Sequence, residues 1–257
     1  MTPTIPLPEL VSYLNSELQI SGYSDMAYNG LQIESSRGAI SKIGFAVDAG
    51  ISVMREALKR GCQLLVVHHG VLWGQSSPVV GPWARKLELC LTEGLSLYAA
   101  HLPLDGHPVL GNAVQLAQVL GAVSTTPCFE YKGSPIGCMA ELPSPRPITE
   151  IAERLAGCEG ALTPPLTLPF GKNHAQKIGI ATGSATSVIP EVVARNLDLL
   201  ITGEPKQEAY HSAQDLGCSV ICMGHYASET FGVRALERVL ATNFRVQTEW
   251  ISEPTGI

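Results

Sequence analysis

The amino-acid sequence predicts an α/β protein made of two similar βα-repeat lobes with largely parallel sheets, related by internal duplication. Short apolar strands alternate with helix-length segments almost throughout the chain, which is typical of βαβ units. Residues 42–69 also align without gaps on residues 177–204, with 10 identities in 28 positions. A repeat at this offset of 135 residues indicates a duplicated domain and not a solenoid.

Hydrophobic periodicity predicts the elements of the first lobe, residues 1–126. Apolar residues near helical spacing, such as Ile51, Met54 and Leu58, predict a helix, and a continuous apolar run such as residues 62–68 predicts a buried strand. The predicted helices are 7–18, 50–60, 82–93 and 111–121, and the predicted strands are 42–48, 62–68 and 95–101.

The middle of the chain is rich in proline. Eight of the 18 prolines lie within residues 127–173, and proline is excluded from central strands and helix interiors. We interpret this segment as a connector that packs with the second lobe and contains an edge strand near 136–142 and a helix at 148–156. The second lobe, residues 174–257, resumes the alternation. Its predicted helices are 187–196, 205–216 and 228–241, and its predicted strands are 177–183, 198–203, 218–224 and 244–250.

Composition excludes several functional classes. A net charge of −6, from 17 basic and 23 acidic residues, argues against a nucleic-acid partner or an anionic membrane surface. No window approaches the roughly 18 apolar residues of a membrane span, and the N-terminus lacks the pattern of a signal peptide. The seven cysteines form no C-x-x-C pair, which predicts reduced core thiols and disfavours a cysteine zinc site. We therefore expect a cytoplasmic protein.

Candidate functional residues follow the predicted strands. Functional side chains of a parallel sheet gather beyond the carboxyl ends of its strands, and chemistry-bearing residues occupy these positions in both lobes. They are His68, His69 and His101 in the first lobe, and Glu204 and His225 in the second.

A carboxylate also follows a histidine by four residues in each lobe. Asp105 follows His101 and Glu229 follows His225, a spacing that puts both side chains on one face of a helix, about one turn apart. A single pair of this kind is more often a solvated or helix-capping pair. The whole set of imidazoles and carboxylates, without thiolates, is instead the ligand set of zinc, iron, manganese and similar ions. It favours a catalytic or exchangeable metal site over a closed structural one.

Several motifs resemble one known family. They are NGLQIE at 29–34, VVHHGVLW at 66–73, HLPLDGHPVLGN at 101–112, ITGE at 201–204 and GHYASETFGVRAL at 224–236. Together they resemble the Nif-three-like dinuclear metal-centre family, whose members carry the name GTP cyclohydrolase 1 type 2 homologues. The resemblance implies a duplicated α/β fold and a toroidal homohexamer. Because only the short Pro-rich connector separates the lobes, the chain resembles the compact type without an inserted domain.

The resemblance also implies roles for individual residues. His68 and His69 would each bind one of two divalent ions, His225 would be a further ligand, and Asp105 and Glu229 would be bridging carboxylates. His101 and Glu204 lie outside the usual ligand set, and their repeat-related positions make them candidates for proton transfer or for supporting the ligands. In the strand alignment His225 falls one position later than His101. We therefore expect His101 to lie near the metals without pointing straight at them.

This site predicts two functional classes. Two divalent metal ions per chain (zinc, iron, manganese or similar) would bind an anionic small molecule and clamp the attacking and leaving oxygens. The first class is a metal-dependent hydrolase that acts on a phosphoester or nucleotide-like small molecule. The alternative is a non-enzymatic protein for metal storage, delivery, sensing or scaffolding, because the ligands for holding a metal and for using it are the same.

Overall fold

The computed structural model describes residues 3–36, 38–74 and 78–257. The strands are β1 (Ile5–Pro6), β2 (Gly30–Ile33), β3 (Ala39–Ile40), β4 (Lys42–Asp48), β5 (Leu64–His69), β6 (Ser96–Ala99), β7 (Ser124–Tyr131), β8 (Ser134–Pro147), β9 (Leu166–Pro169), β10 (His174–Ile180), β11 (Leu199–Thr202), β12 (Ser219–Cys222) and β13 (Gln247–Trp250). The helices are α1 (Leu7–Glu17), α2 (Ile51–Lys59), α3 (Gly81–Glu93), α4 (Leu102–Asp105), α5 (Asn112–Val119), α6 (Ile148–Ala156), α7 (Ile189–Ala194), α8 (Ala209–Leu216), α9 (His225–Ser228) and α10 (Thr230–Phe244). Short 3₁₀ turns lie at Ile20–Gly22 and Thr186–Val188.

The chain forms two compact units. The first unit comprises Met1–Leu104 and Val233–Glu253, and the second comprises Asp105–Gly232 and Pro254–Ile257. These bounds differ from the predicted segments 1–126, 127–173 and 174–257. Helix α5 packs on strands β8 and β10, so it belongs with the second sheet, whereas β13 pairs with β4 of the first.

The first unit contains a five-stranded sheet in the order β13-β4-β5-β6-β2. Three of its four strand pairs are parallel, and only β2 runs antiparallel to its neighbour β6. Helix α2 buries Val53 and Met54 against one face of this sheet, where they join Leu65 and Leu97 in a single core cluster. Strands β4 and β5 are buried along almost their whole length. A strand buried on both faces has a continuous apolar sequence, which is why both were predictable.

The second unit contains a six-stranded sheet in the order β7-β8-β10-β11-β12-β9. Both of its faces are buried. Ile201 of β11 lies in the core cluster that contains Leu155 of α6, and the adjacent Leu200 lies in the cluster that contains Ile189 of α7.

The second sheet is more antiparallel than the sequence predicts. Only β10, β11 and β12 are mutually parallel, while β7, β8 and β9 each join their neighbours in antiparallel pairs. The predicted edge strand 136–142 is part of the longer β8. It does not lie at the edge of the sheet, because β7 pairs with it as far as Glu141. Pro143, Pro145 and Pro147 of β8 lie beyond that pairing, where missing N–H groups break no bond to β7, whereas Pro135 lies within it, opposite Glu130.

The two sheets share one strand order, in agreement with the internal repeat. The order β4-β5-β6-β2 in the first unit corresponds to β10-β11-β12-β9 in the second. In both, the edge strand precedes the repeat in the chain and runs antiparallel to its third strand. The α/β class and the two sheet-containing lobes are therefore confirmed, although β2 and β9 were not predicted.

A membrane-spanning helix does not occur in the described ranges. None of the helices found there is both long enough and apolar enough to cross a bilayer.

Close packing in the second sheet yields a stability prediction. A Cβ added at Gly137 would collide with the carbonyl oxygen of Ile180 and lie 2.9 Å from the ring of Phe129. Overpacking of this kind costs about 1–3 kcal/mol. At about 2–4 °C per kcal/mol for a chain of this size, Gly137→Ala should lower the melting temperature by roughly 2–12 °C. In the control Gly157→Ala, the nearest contact of the new Cβ is 3.4 Å, and we expect melting within about 1 °C of wild type. Equal melting of the two variants in a calorimetric scan would contradict this packing.

Candidate metal centre

A cluster of three histidines lies at the strand ends of the first unit. His68 and His69 end β5, and His101 follows β6 by two residues. One ring nitrogen of each imidazole lies within 4.8 Å of a ring nitrogen of the other two. The side chain of His68 is fully buried, and His101 is about one-fifth exposed. Adjacent parallel strands therefore bring together the three imidazoles that the sequence analysis selected.

Each imidazole in this cluster is held at its Nδ1 atom. The Nδ1 atom of His68 lies 2.9 Å from the carbonyl oxygen of Ala100, and that of His69 lies 2.9 Å from Oδ1 of Asp48. The Nδ1 atom of His101 lies 3.0 Å from Oδ2 of Asp25. Because these partners only accept hydrogen bonds, the contacts favour the tautomer with the proton on Nδ1, in which Nε2 is the atom that binds a metal.

The two supporting carboxylates were not among the predicted site residues. Asp48 is the last residue of β4 and lies opposite His69 in the strand register, so the strand-end rule would have found it. Asp25 lies in the segment before β2, where no sequence pattern marks it. Burial opposes ionisation of Asp25, yet the hydrogen bonds from His101 and Asn29 hold the pKa of this carboxyl group well below its usual range.

The second unit presents an imidazole between two carboxylates. His225 begins α9, its Nδ1 atom lies 3.2 Å from Oε1 of Glu204, and its Nε2 atom lies 3.2 Å from Oε1 of Glu229. Burial disfavours the charged imidazole, but the hydrogen bonds and charges of Glu229 and Glu204 outweigh it and raise the pKa of His225 to about 9. Glu204 thus supports His225 in the same way that Asp48 supports His69.

Asp105 is fixed by two neutral donors of the second unit. Its Oδ1 atom accepts hydrogen bonds from Nδ2 of Asn112 at 2.8 Å and from Oγ1 of Thr182 at 3.2 Å. Asn112 is fully buried, and its own oxygen accepts the backbone N–H of Gly232 at 2.7 Å. The carboxylate is therefore oriented by two side chains, one of which, Asn112, is itself held by the backbone of Gly232.

The turn at Thr182–Gly183 lies beside Asp105, His225 and Glu229. Gly183 has φ +64°, and a Cβ placed on it would lie 2.5 Å from Oε1 of Glu229 and 3.2 Å from Nε2 of His225. Thr182, its neighbour in the chain, binds Asp105. Only glycine combines this backbone conformation with so close an approach, so the turn lets Glu229 and His225 lie beside the backbone.

The strand register explains why His101 and His225 are not equivalent. Val67 pairs with Ala99 in the first sheet, and Thr202 pairs with Cys222 in the second. Counting onward along both strands, His101 corresponds to Gly224, and His225 lies one residue beyond. The one-residue offset predicted from the sequence is therefore confirmed, whereas a role of His101 outside the ligand set stays a prediction.

Each unit presents donors that suit divalent metal ions. In the first unit three imidazoles have their Nδ1 atoms engaged. In the second unit the Nδ1 atom of His225 is engaged, and the carboxylates of Asp105 and Glu229 are more than nine-tenths buried. Neutral imidazole and carboxylate suit zinc, iron and manganese. The seven cysteines are free thiols, and all except Cys158 are buried.

Comparisons of sequence and of structure both identify similar proteins along nearly the whole chain. The sequence profile of the Duf34/NIF3 (NGG1p interacting factor 3) family matches residues 5–255. A protein of Pyrococcus horikoshii named "GTP cyclohydrolase 1 type 2 homolog" is 43% identical over 249 residues, covering 97% of this chain and 98% of its own. A protein of Halobacterium salinarum with the same name is 40% identical, with 97% and 98% covered. The crystal structure of TTHA1606 from Thermus thermophilus is similar with a TM-score of 0.90 at 38% identity, covering 98% of this chain and all of its own.

The contact between Glu204 and His225 yields a prediction about metal affinity. Glu204→Gln removes the charged acceptor at Nδ1 of His225, and loss of such a partner typically weakens metal binding about 10–100-fold. Competition with a chromogenic chelator measures this change. Glu208→Gln, four residues further on and exposed, is the matched control and should bind metal like wild type. Equal affinities for the two variants would contradict the supporting role of Glu204.

Proposed function

The chain belongs to the DUF34/NIF3 family, and on that premise we propose that it is a metal-dependent hydrolase with two divalent ions per chain. Its substrate is a phosphoester or nucleotide-like small molecule. The proposed ligands are His68, His69, Asp105, His225 and Glu229.

One observation carries this proposal. Each of the four imidazoles His68, His69, His101 and His225 has an acceptor at Nδ1, namely a backbone carbonyl in one case and a carboxylate in three. Histidines that bind metal almost always have such a partner, which fixes the tautomer and makes the other nitrogen more basic. A histidine that only fills space has no need of a carboxylate at Nδ1.

The charge of the proposed site favours an anionic substrate. Neutral imidazoles add no charge, and the carboxylates of Asp105 and Glu229 compensate about half of the four positive charges of two divalent ions. About two positive charges then remain for a phosphate group. When bound, two such ions supply Lewis acidity toward a phosphoryl oxygen and lower the pKa of water.

In the proposed reaction His101 moves the proton. A water oxygen forms a bond to phosphorus, the bond from phosphorus to the leaving oxygen breaks, and the water proton passes to Nε2 of His101. The imidazole then returns this proton to the leaving oxygen, so that no net proton is gained or lost. Throughout the reaction the Nδ1–H group of His101 donates its hydrogen bond to Asp25. The Nε2 atom therefore remains the proton acceptor.

Substitution of His101 tests this function. We expect His101→Asn to keep two metal ions per chain but to lower kcat for a hydrolysed ester by about 10²–10⁴-fold, the usual contribution of a general base. Metal content is measured by elemental analysis, and activity with a panel of phosphomonoesters, phosphodiesters and nucleotides. The control His211→Asn changes an exposed histidine of α8 and should behave like wild type.

Two outcomes would contradict this assignment. Loss of one metal in His101→Asn would make His101 a ligand. Two tightly bound metals in a wild-type protein that hydrolyses nothing in the panel would favour the alternative function of metal storage, delivery or sensing.

We further propose that the chain assembles as a homohexamer. The family resemblance implies this assembly, and the exposed apolar side chains support extensive subunit contacts. Among the described residues, Val80, Val109 and Val123 are each more than half exposed. The mean hydropathy of +0.16 with only 16% charged residues is also high for a chain that exposes its whole surface to water.

The assembly is tested by mass. Six copies of the 27.3 kDa chain should give about 164 kDa by multi-angle light scattering at micromolar concentration. A mass near that of one chain would contradict the proposal.

A further inference from the structure

Asp25 is a buried carboxylate with an unusually complete set of donors. Its side chain is only 4% exposed. It accepts hydrogen bonds from the backbone N–H groups of Ala27 and Leu102, each at 3.1 Å, and from Nδ2 of Asn29 at 3.0 Å. The remaining donor is Nδ1 of His101 at 3.0 Å. A carboxylate with four donors is fixed in position and stays charged.

The backbone of His101 is fixed by the same segment. The side-chain oxygen of Asn29 accepts the backbone N–H of His101 at 2.7 Å, while its amide group donates to Asp25. Asn29 is the first residue of the NGLQIE motif, which otherwise has no part in the proposed ligand set. The segment that contains Asp25 and Asn29 therefore orients both the ring and the backbone of His101.

We propose that Asp25 is the positioning residue of His101, holding the ring proton on Nδ1 and directing the Nε2 lone pair toward the imidazoles of His68 and His69. Its effect on catalysis rests on the proposed function, whereas its effect on the tautomer does not. The hydrogen-bond partners of Asp25 are Ala27, Asn29, His101 and Leu102, none of which is a proposed ligand, so Asp25 acts through His101.

Asp48 offers an internal comparison. It makes the same carboxylate contact to an imidazole Nδ1, but its partner His69 is a proposed metal ligand. Its side chain is 40% exposed, ten times the exposure of Asp25. The two carboxylates should therefore act on different properties, Asp48 on metal affinity and Asp25 on reaction rate.

The first test determines the tautomer of His101 and requires no enzymatic activity. Metal-free full-length protein labelled with 13C and 15N at histidine is sedimented for magic-angle-spinning NMR, and His101 is assigned from the signals that His101→Asn removes. We expect a wild-type Nδ1–H of His101 with a proton resonance shifted far downfield by the charged acceptor. In Asp25→Asn this resonance should move upfield or vanish, and Asp48→Asn should change the signals of His69 instead.

The wild-type spectrum alone can overturn the proposal. A His101 that carries its proton on Nε2 in the wild-type protein contradicts it, whether or not the variant folds. An unchanged His101 resonance in a folded Asp25→Asn protein contradicts it equally.

The second test distinguishes an effect of Asp25 on the reaction rate from an effect on metal binding. In metal-loaded protein, Asp25→Asn should keep two ions per chain and an unchanged KM but lose at least about tenfold in kcat. Asp48→Asn should instead lose about 10–100-fold in metal affinity. The double variant Asp25→Asn/His101→Asn should be no slower than His101→Asn alone, because Asp25 acts through that ring. Independent, multiplicative losses, or metal loss in Asp25→Asn equal to that in Asp48→Asn, would overturn the proposal.

Different results would contradict the proposed hydrolase function and the proposed role of Asp25. A wild-type protein without hydrolytic activity removes the proposed function, while the NMR result still decides whether Asp25 holds His101. A hydrolase in which Asp25→Asn turns over at the wild-type rate keeps the proposed function and removes the catalytic consequence of Asp25.

Discussion

The register between strands β4, β5 and β6 is the constraint on which the histidine cluster depends. Asp48 pairs with His69, and Val67 pairs with Ala99, so that His101 continues the row beside His69. Since the side chains of a strand alternate between faces, a slip of one residue would exchange the directions of His68 and His69 and separate Asp48 from its imidazole. The buried apolar residues of these strands hold the register through close packing, because the same slip would replace each side chain on both faces by one of different size and shape. The packing of the core and the geometry of the histidine cluster therefore depend on the same strand register.

The shared strand order of the two sheets is combined with different polar residues at the strand ends. At repeat-equivalent positions the first unit has His69 and the second has Glu204. In the first unit the strand-end carboxylate Asp48 supports an imidazole of the neighbouring strand, and in the second Glu204 supports His225, which follows the next strand. A duplicated fold has therefore retained the support of an imidazole by a carboxylate while changing which strand supplies each partner.

Much of this arrangement could be predicted from the sequence, for identifiable reasons. Strands such as β4 and helix α6 were predicted within a residue because continuous or periodic apolar residues report burial directly. The strand-end histidines were predictable because parallel strands end at a common edge. Strand β9 and the antiparallel pairing of β7 and β8 were missed, since the local sequence does not encode which strand a segment pairs with, and proline suggested a connector. Asp25 was missed because an irregular segment has no periodicity, and its role exists only through a contact with His101, 76 residues away.

An anomalous diffraction experiment tests the central claim most directly. Crystals of the zinc- or manganese-loaded protein, measured on both sides of the absorption edge of the metal, should show two anomalous peaks per chain. One should lie about 2.0–2.2 Å from an imidazole nitrogen of His68 and the other at the same distance from His69. A single peak per chain, or peaks bound by cysteine sulfurs, would contradict the account.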